Sequence, residues 1–334
     1  MIGGEYDLAQ ISGPTRVRYK EACADDVRRK LIESEIRGAY VKAASGRLSP
    51  RSRRHIVTVC VAALCEKGKT LLLAADRMVG VMGGVIEAEP DVSKIYPLNS
   101  FWWALVSGND CVPAFEIIEG VKAQIPDKPL DQNSMMSAVE KEYRRVRLAE
   151  AESKYLAPLG FTHGEILKKG RTVLGKRRFA DILGRVEDHE FSISLLIAGF
   201  DRSRKGHIFT VDSDVKRGKP QPNDAEGYAA VGSGGFAANY MMSYREYDFN
   251  LPVHKAIYSV FEGKYFGELA TGVGVTTDLF IVRPGKKLLI VDKKREKLLV
   301  RLVRRRGPRR IKKPQSQELK DIWKTVEKNK QPLP

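Results

Sequence analysis

Short apolar runs separated by turns fill the first patterned part of the chain. One pair of runs covers residues 59–65 and 71–75, with Lys67-Gly68-Lys69 between them. A second pair covers residues 93–96 and 101–106. Because short apolar runs bounded by Gly, Pro or Asn are typical of buried strands, the pattern predicts two successive β-hairpins.

Helical spacing replaces this pattern after residue 111. Apolar side chains recur on one face over 112–125, and Asn133 is a suitable N-cap for a second helix that continues to about Tyr155. Residues 161–184 are also mostly helical in pattern and strongly basic. We therefore expect a helical insertion over about 112–184.

Strand patterns return at residue 190 and alternate with further helices. The predicted strands are 190–201, 207–212, 227–231, 278–282, 288–291 and 297–303, and the predicted helices are 236–246 and 253–261. Gly232-Ser233-Gly234-Gly235 is predicted to turn between a strand and a helix. From the pattern alone, the sequence indicates a mixed α/β domain built from antiparallel hairpins and helices.

Charge divides the chain into three parts. The 334 residues carry a net charge of +17. Residues 283–334 contain 19 Lys or Arg against 5 Asp or Glu, and residues 1–57 contain 12 against 7, which leaves −2 for residues 58–282. The nearly neutral middle argues against nucleic-acid binding by that part, so the basicity belongs to the two extensions.

The two extensions have little apolar patterning. Residues 1–57 are expected to be poorly ordered or helical, with helical spacing only at 23–44 and a basic linker at 45–55. Residues 286–334 form a basic C-terminal extension, in which 316–328 has the pattern of a short amphipathic helix.

The cysteines and the lack of long apolar runs indicate a cytoplasmic protein. No apolar run approaches the roughly 20 residues of a membrane helix, and the N-terminus has no apolar block of a secretory signal. Cys23, Cys60, Cys65 and Cys111 lack metal-ligand spacing. We expect Cys60 and Cys65 to be buried, reduced small hydrophobes, and we expect no membrane partner.

Five short features in order carry a family resemblance. Thr58 precedes a strand, Asp76 ends the next strand within Ala-Ala-Asp-Arg, Lys94 precedes Ile, Gly108 follows a small residue, and Ser233 lies in a Gly-Ser-Gly turn. This order resembles the N-terminal-nucleophile (Ntn) hydrolases of the proteasome β-subunit type, and the bacterial proteasome-like branch above all. The resemblance covers roughly residues 58–110 and 190–285.

The resemblance implies an α+β fold, a four-layer αββα sandwich over residues 58–285. It also implies a homo-oligomer, a peptide or amide substrate, and chemistry that uses neither a cofactor nor a metal ion. The expected organisation is therefore an Ntn-hydrolase-like domain at 58–285, flanked by the basic extensions 1–57 and 286–334.

The resemblance also assigns roles to the five residues. Thr58 is the nucleophile, and its own α-amino group is the base, because an α-amine has an unperturbed pKa of about 8. Lys94 keeps this amine neutral, and Asp76 holds Lys94. The Gly108 N–H stabilises the oxyanion of the tetrahedral intermediate. Ser233 helps to relay protons.

Two departures from the family pattern concern the nucleophile and its support. Thr58 follows Val57, whereas self-processing relatives have Gly there. If translation starts at the Val57 codon, an initiator methionine replaces Val57, and removal of this methionine is one way to expose the Thr58 amine. Ala270 and Val273 stand where the family has Asp and Ser. Glu268 or Thr271 are the available substitutes.

Two further functions stay open at this stage. One is a catalytically inactive, proteasome-like structural or assembly subunit. The other is polyanion or nucleic-acid binding through the basic C-terminal extension, where residues 301–313 are strongly basic.

Overall fold

A computed structural model describes residues 58–81, 86–88, 93–108, 112–190, 193–212, 218–270 and 273–307. The helix predicted at 23–44, the linker at 45–55 and the helix predicted at 316–328 lie outside the described residues. All other predicted elements fall wholly or mainly within the described ranges.

The described strands form two five-stranded sheets and a two-stranded sheet, and every strand pairing is antiparallel. The strands are β1 Cys60–Cys65, β2 Thr70–Asp76, β3 Val79–Val81, β4 Ile86–Ala88, β5 Ile95–Pro97, β6 Trp102–Gly108, β7 Ile193–Phe200, β8 Gly206–Asp212, β9 Gln221–Pro222, β10 Tyr228–Val231, β11 Thr277–Val282 and β12 Leu289–Ile290. The first sheet has the order β10-β1-β2-β11-β12 and the second has β5-β6-β7-β8-β9. The prediction of a mixed α+β fold with antiparallel sheets is confirmed.

The helices lie mainly in two groups, before β7 and after β10. They are α1 Val112–Gln124, α2 Gln132–Ala151, α3 His163–Glu165, α4 Arg171–Leu174, α5 Lys176–Glu187, α6 Gly235–Tyr244, α7 Val253–Gly267 and α8 Lys293–Arg306. Two π-helical turns, Glu152–Leu156 and Ile166–Gly170, and a 3-10 turn, Ala157–Leu159, interrupt the insertion.

Three apolar clusters explain why the strands read as continuous apolar runs. Side chains such as Leu73 and Leu196 fill the space between the two five-stranded sheets. Helices α1 and α2 cover the outer face of the second sheet, and α6 and α7 cover the outer face of the first. Both faces of each central strand are therefore buried. The strand sequences for this reason lack the alternation of apolar and polar residues that is typical of a sheet with one exposed face.

The helical segment between β6 and β7 has a small core of its own. Residues from Ala151 to Val186, including Leu156, Ile166 and Ile182, pack together there. The predicted helical character of 161–184 is confirmed, although π-turns and glycines divide it into short pieces.

The strand predicted at 297–303 is wrong, because these residues belong to the helix α8. Asp292 caps this helix through the Arg295 N–H at 2.8 Å. Leu299 and Val303, four residues apart, pack on the core of α6 and α7. The short Leu-Leu-Val run suggested a strand, but Leu, Lys and Arg favour helix and the apolar spacing fits one helix face.

The predicted burial of two cysteines is confirmed, since Cys60 and Cys65 are both buried and free. Burial raises the pKa of the Cys65 thiol to about 12, and the nearby Glu66 carboxylate adds to this effect. Among the described helices, none is long and apolar enough to cross a membrane.

Candidate active site

Thr58 lies two residues before the start of β1 and is only 2% exposed. Its backbone is held by the turn that follows β10. The Thr58 N–H donates to Ser233 Oγ at 3.2 Å, and the Thr58 carbonyl accepts from the Gly234 N–H at 3.1 Å. The Ser233 hydroxyl also lies 3.3 Å from that carbonyl. The Gly-Ser-Gly turn is therefore in direct contact with Thr58.

Asp76 is the last residue of β2 and is fully buried. The antiparallel pairing of β1 and β2 brings it beside Val59, whose N–H donates to Asp76 Oδ1 at 2.9 Å. Asp76 Oδ2 accepts from the N–H groups of Met78 and Gly274, each at 3.0 Å. Backbone donors therefore hold this carboxylate in one orientation.

Lys94 connects Asp76 to the threonine hydroxyl. Its Nζ lies 2.7 Å from Thr58 Oγ1 and 3.0 Å from Asp76 Oδ1. The residue is 9% exposed, so water screens this cation weakly. When a hydroxyl beside a buried ammonium loses its proton, the positive charge of the ammonium stabilises the resulting alkoxide.

At position 232 the chain passes so close to Thr58 that only glycine fits. Gly232 has φ +94°, and a Cβ at this position would lie 2.3 Å from the Thr58 carbonyl oxygen and 2.7 Å from Ser107 Oγ. Only glycine has both the permitted conformation and the space. The end of β6 therefore lies against the turn that holds Thr58.

Gly108 closes β6 and pairs with Ile193 of β7. It directly follows Ser107, whose hydroxyl faces the Gly232 turn. The structure thus brings Thr58, Asp76, Lys94 and Ser233 into direct contact. Gly108 lies one residue beyond a side chain that borders the site.

The residues that stand where the family has Asp and Ser differ from their available substitutes. Ala270 and Val273 pack with the apolar core of α6 and α7 and bring no polar group to the site. Glu268 is the C-cap of α7 and accepts a hydrogen bond from Lys264 at 2.8 Å. Burial raises the pKa of Glu268, and Lys264 opposes this effect. Thr271 lies outside the described residues.

Lys264 and Gly274 are parts of this site that sequence reasoning missed. Lys264 donates to the Gly274 carbonyl at 2.9 Å, and Gly274 donates to Asp76. One signal existed in the sequence, since Lys264 follows Ala256 and Val260 at intervals of four residues, on the buried face of α7. A lysine at such a position indicates a buried ionic contact.

The described residues hold no cluster of three or more His, Cys, Asp or Glu side chains that could bind a metal ion. Comparison of the sequence with protein-family models and with curated proteins finds no match.

Proposed function

We propose that the protein is a threonine-type hydrolase of the proteasome-like Ntn class, which cleaves peptides or other amides with Thr58 as nucleophile. The main support is the Lys94 ammonium, 2.7 Å from Thr58 Oγ1 and 3.0 Å from Asp76 Oδ1 in a buried setting. A cation in this position favours the attacking form of the hydroxyl.

The packing of the sheets supports the same class. The two five-stranded sheets share a core, and helices cover the outer face of each sheet. We infer from this a four-layer αββα sandwich, in which the Thr58 site lies where β1, β2 and the Gly232 turn meet.

The reaction proceeds through an ester of Thr58. The hydroxyl oxygen attacks the substrate carbonyl carbon while its proton passes to the Thr58 α-amine. The Gly108 N–H stabilises the oxyanion, and the C–N bond breaks as the α-ammonium protonates the leaving amine. A water molecule, deprotonated by the same amine, then attacks the ester. This step releases the carboxylic acid and restores the hydroxyl.

This chemistry requires a free α-amine on Thr58, which in the sequence follows Val57. Cleavage between Val57 and Thr58 would expose it. Translation that starts at the Val57 codon would do the same, because the initiator methionine placed there is then removed. We propose that the working form begins at Thr58, functions in the cytoplasm and assembles as a homo-oligomer.

Two variants test the proposal on protein whose N-terminal residue is determined by intact mass. Thr58→Ser keeps the hydroxyl, so we expect measurable hydrolysis of fluorogenic peptide amides. Thr58→Ala removes the nucleophile, so we expect activity to fall by at least about 10³-fold. Unchanged activity in Thr58→Ala would show that Thr58 is not the nucleophile. Hydrolysis by a chain that keeps residues before Thr58 would show the same.

A second candidate is a catalytically inactive assembly subunit of the same class. The apolar side chains of Ala270 and Val273 favour it, because they supply no polar support where the family has Asp and Ser. In this case the wild-type chain with a free Thr58 amine hydrolyses no peptide or amide, and Thr58→Ala leaves its assembly unchanged.

A third candidate function is the binding of a polyanion through the basic C-terminal extension. Helix α8 carries eight Lys or Arg among its 14 residues, and all eight side chains are exposed. We expect wild-type protein to bind duplex DNA with affinity that falls steeply with salt. Replacing Lys293, Lys294, Lys297 and Arg301 with Gln should weaken this binding and flatten its salt dependence. Salt-insensitive binding, or no binding, argues against this candidate.

A further inference from the structure

Lys264 is a fully buried cation on the packed face of α7. Three acceptors surround its ammonium: Glu268 Oε1 at 2.8 Å, the Gly274 carbonyl at 2.9 Å and the Thr276 carbonyl at 3.4 Å. An ammonium has three N–H donors, so each donor has an acceptor. Lys264 therefore holds the chain just before β11 against the C-terminal end of α7.

The chain that Lys264 holds makes direct contact with Asp76. Gly274 accepts from Lys264 through its carbonyl and donates to Asp76 Oδ2 through its N–H at 3.0 Å. A displacement of Gly274 would therefore act directly on the Asp76 carboxylate, because Gly274 is the only residue between Lys264 and Asp76 in this chain of hydrogen bonds.

Each oxygen of Asp76 has two hydrogen-bond donors. Val59 and Lys94 donate to Oδ1, and Met78 and Gly274 donate to Oδ2. A carboxylate held at both oxygens cannot rotate without breaking a bond. Loss of the Gly274 donor would leave Oδ2 with Met78 alone, which weakens the hold on the carboxylate that orients Lys94.

Lys264 also balances a second carboxylate near Asp76. Burial raises the pKa of Glu268, the Lys264 ammonium lowers it, and the negative charges of Glu296 and Asp76 raise it. Lys94 is ion-paired with Asp76. Arg77, whose Nε donates to Asp278 at 3.0 Å, follows Asp76 in the chain, and Glu296 accepts at 2.8 Å from the N–H of Thr277, the residue opposite Asp76 in β11. Lys264 is thus the buried cation that is paired with Glu268.

We propose that Lys264 is a positioning residue for the Thr58 site. It holds Gly274 so that Asp76 keeps Lys94 directed at the Thr58 hydroxyl. This proposal rests on the proposed hydrolase function. It also assigns part of the support of the nucleophile to a buried lysine, where Ala270 and Val273 provide none.

Two measurements on protein that begins at Thr58 separate this role from general stability. Hydrogen exchange of peptides covering residues 273–276 reports the Gly274 N–H without any substrate. The kcat and KM for a peptide amide then report the effect on chemistry. In Lys264→Met we expect exchange at Gly274 to accelerate at least about tenfold. We expect kcat to fall about 10- to 100-fold, with KM changed less than about twofold.

Three further variants make the comparison sharper. Lys264→Gln keeps one N–H group that can reach a carbonyl, so we expect smaller changes than in Lys264→Met, and it serves if Lys264→Met does not fold. Glu268→Gln leaves both carbonyl contacts of Lys264, so Gly274 should stay protected. Lys169→Met is the matched control, because it breaks an exposed lysine–glutamate pair four residues apart, with Glu165 at 3.0 Å.

The proposal is overturned if Gly274 exchanges at the wild-type rate in Lys264→Met, or if kcat is unchanged. It is also overturned if Glu268→Gln loses as much hydrogen-exchange protection at Gly274 and as much kcat as Lys264→Met does. The Lys264–Glu268 ion pair, and not the hydrogen bonds from Lys264 to residues 273–276, would then be responsible for the effect. Absence of hydrolysis by wild-type protein would contradict the proposed function alone, because the exchange at Gly274 still tests the contact.

Discussion

Lys94 lies beside the Thr58 hydroxyl as a donor, 2.7 Å away, and an ammonium cannot accept the proton of that hydroxyl. Its effect is electrostatic, and the base must be a different group. Asp76, fully buried, keeps the cation in place. At the scale of single residues, the group that stabilises the alkoxide in the proposed mechanism is therefore distinct from the group that takes the proton.

Lys94→Met tests this separation. The variant removes the cation and leaves the buried Asp76 carboxylate with backbone donors only. We expect kcat to fall about 10²- to 10³-fold, and we expect the free energy of unfolding to fall by about 3 kcal/mol. Kinetics and urea unfolding measure the two effects. Lys122→Met, which breaks a half-exposed pair with Glu119, should change neither.

At the scale of secondary-structure elements, a histidine between two carboxylates joins the β7–β8 hairpin to the chain before β10. His207 Nδ1 lies 2.6 Å from Asp224 Oδ2, and Nε2 lies 3.2 Å from Asp201 Oδ2. Asp224 also accepts from the Ile208 N–H at 2.9 Å. Burial opposes the charged imidazolium, but the hydrogen bonds to Asp224 and Asp201 outweigh it and raise the pKa of His207.

This geometry predicts a pH-dependent stability. A pKa raised above the ordinary 6.5 means that the stabilisation is complete below pH 6.5 and is lost as pH rises through the raised value. We expect the free energy of unfolding of wild-type protein to decrease over this range relative to that of His207→Asn. Urea unfolding at a series of pH values measures the difference. His254→Asn, at an exposed position of α7, should follow wild type.

The order of elements could be predicted well from sequence, whereas α8 could not. Strands such as β1 and β7 are continuous apolar runs because both of their faces are buried. Helix α8 was predicted as a strand over 297–303 because three consecutive apolar residues hide the four-residue spacing of Leu299 and Val303. The helix-favouring Leu, Lys and Arg of this segment were a local signal, and packing against the core of α6 and α7 decides between the two patterns.

Much of the site was predictable from the order of its residues, and its support was not. Thr58, Asp76, Lys94 and Ser233 each follow or precede a recognisable strand or turn, so a family resemblance could locate them. Lys264 contacts Gly274 across a loop, and such contacts depend on the three-dimensional course of the chain.

At the scale of the whole molecule, one face of α6 exposes three aromatic side chains, and the Arg245 guanidinium just after the helix lies 5.9 Å from the centre of the Tyr244 ring. Phe236, Tyr240 and Tyr244 lie four residues apart on α6 and are 83%, 63% and 61% exposed. Helix α6 has no charged residue, although the chain carries +17. We therefore expect the proposed homo-oligomer to form a contact between copies of the chain at this largely apolar face.

Replacing Phe236 and Tyr240 with Ser together should lower the oligomeric state. Because both side chains are largely exposed, we expect the folded monomer to remain intact. Light scattering after size-exclusion chromatography gives the mass. Leu167→Ser, at another exposed apolar position on a different part of the surface, is the control. A wild-type monomer, or an unchanged oligomer in the double variant, would contradict this contact.

In the proposed reaction, Thr58 forms a covalent ester with its substrate. The most direct test is acid quenching during turnover of a peptide amide, followed by intact mass and peptide mapping. We expect the mass of the acyl fragment on a peptide whose first residue is Thr58, and we expect it to be missing in Thr58→Ala. Steady hydrolysis with no adduct at Thr58, or with an adduct on another residue, would contradict the account.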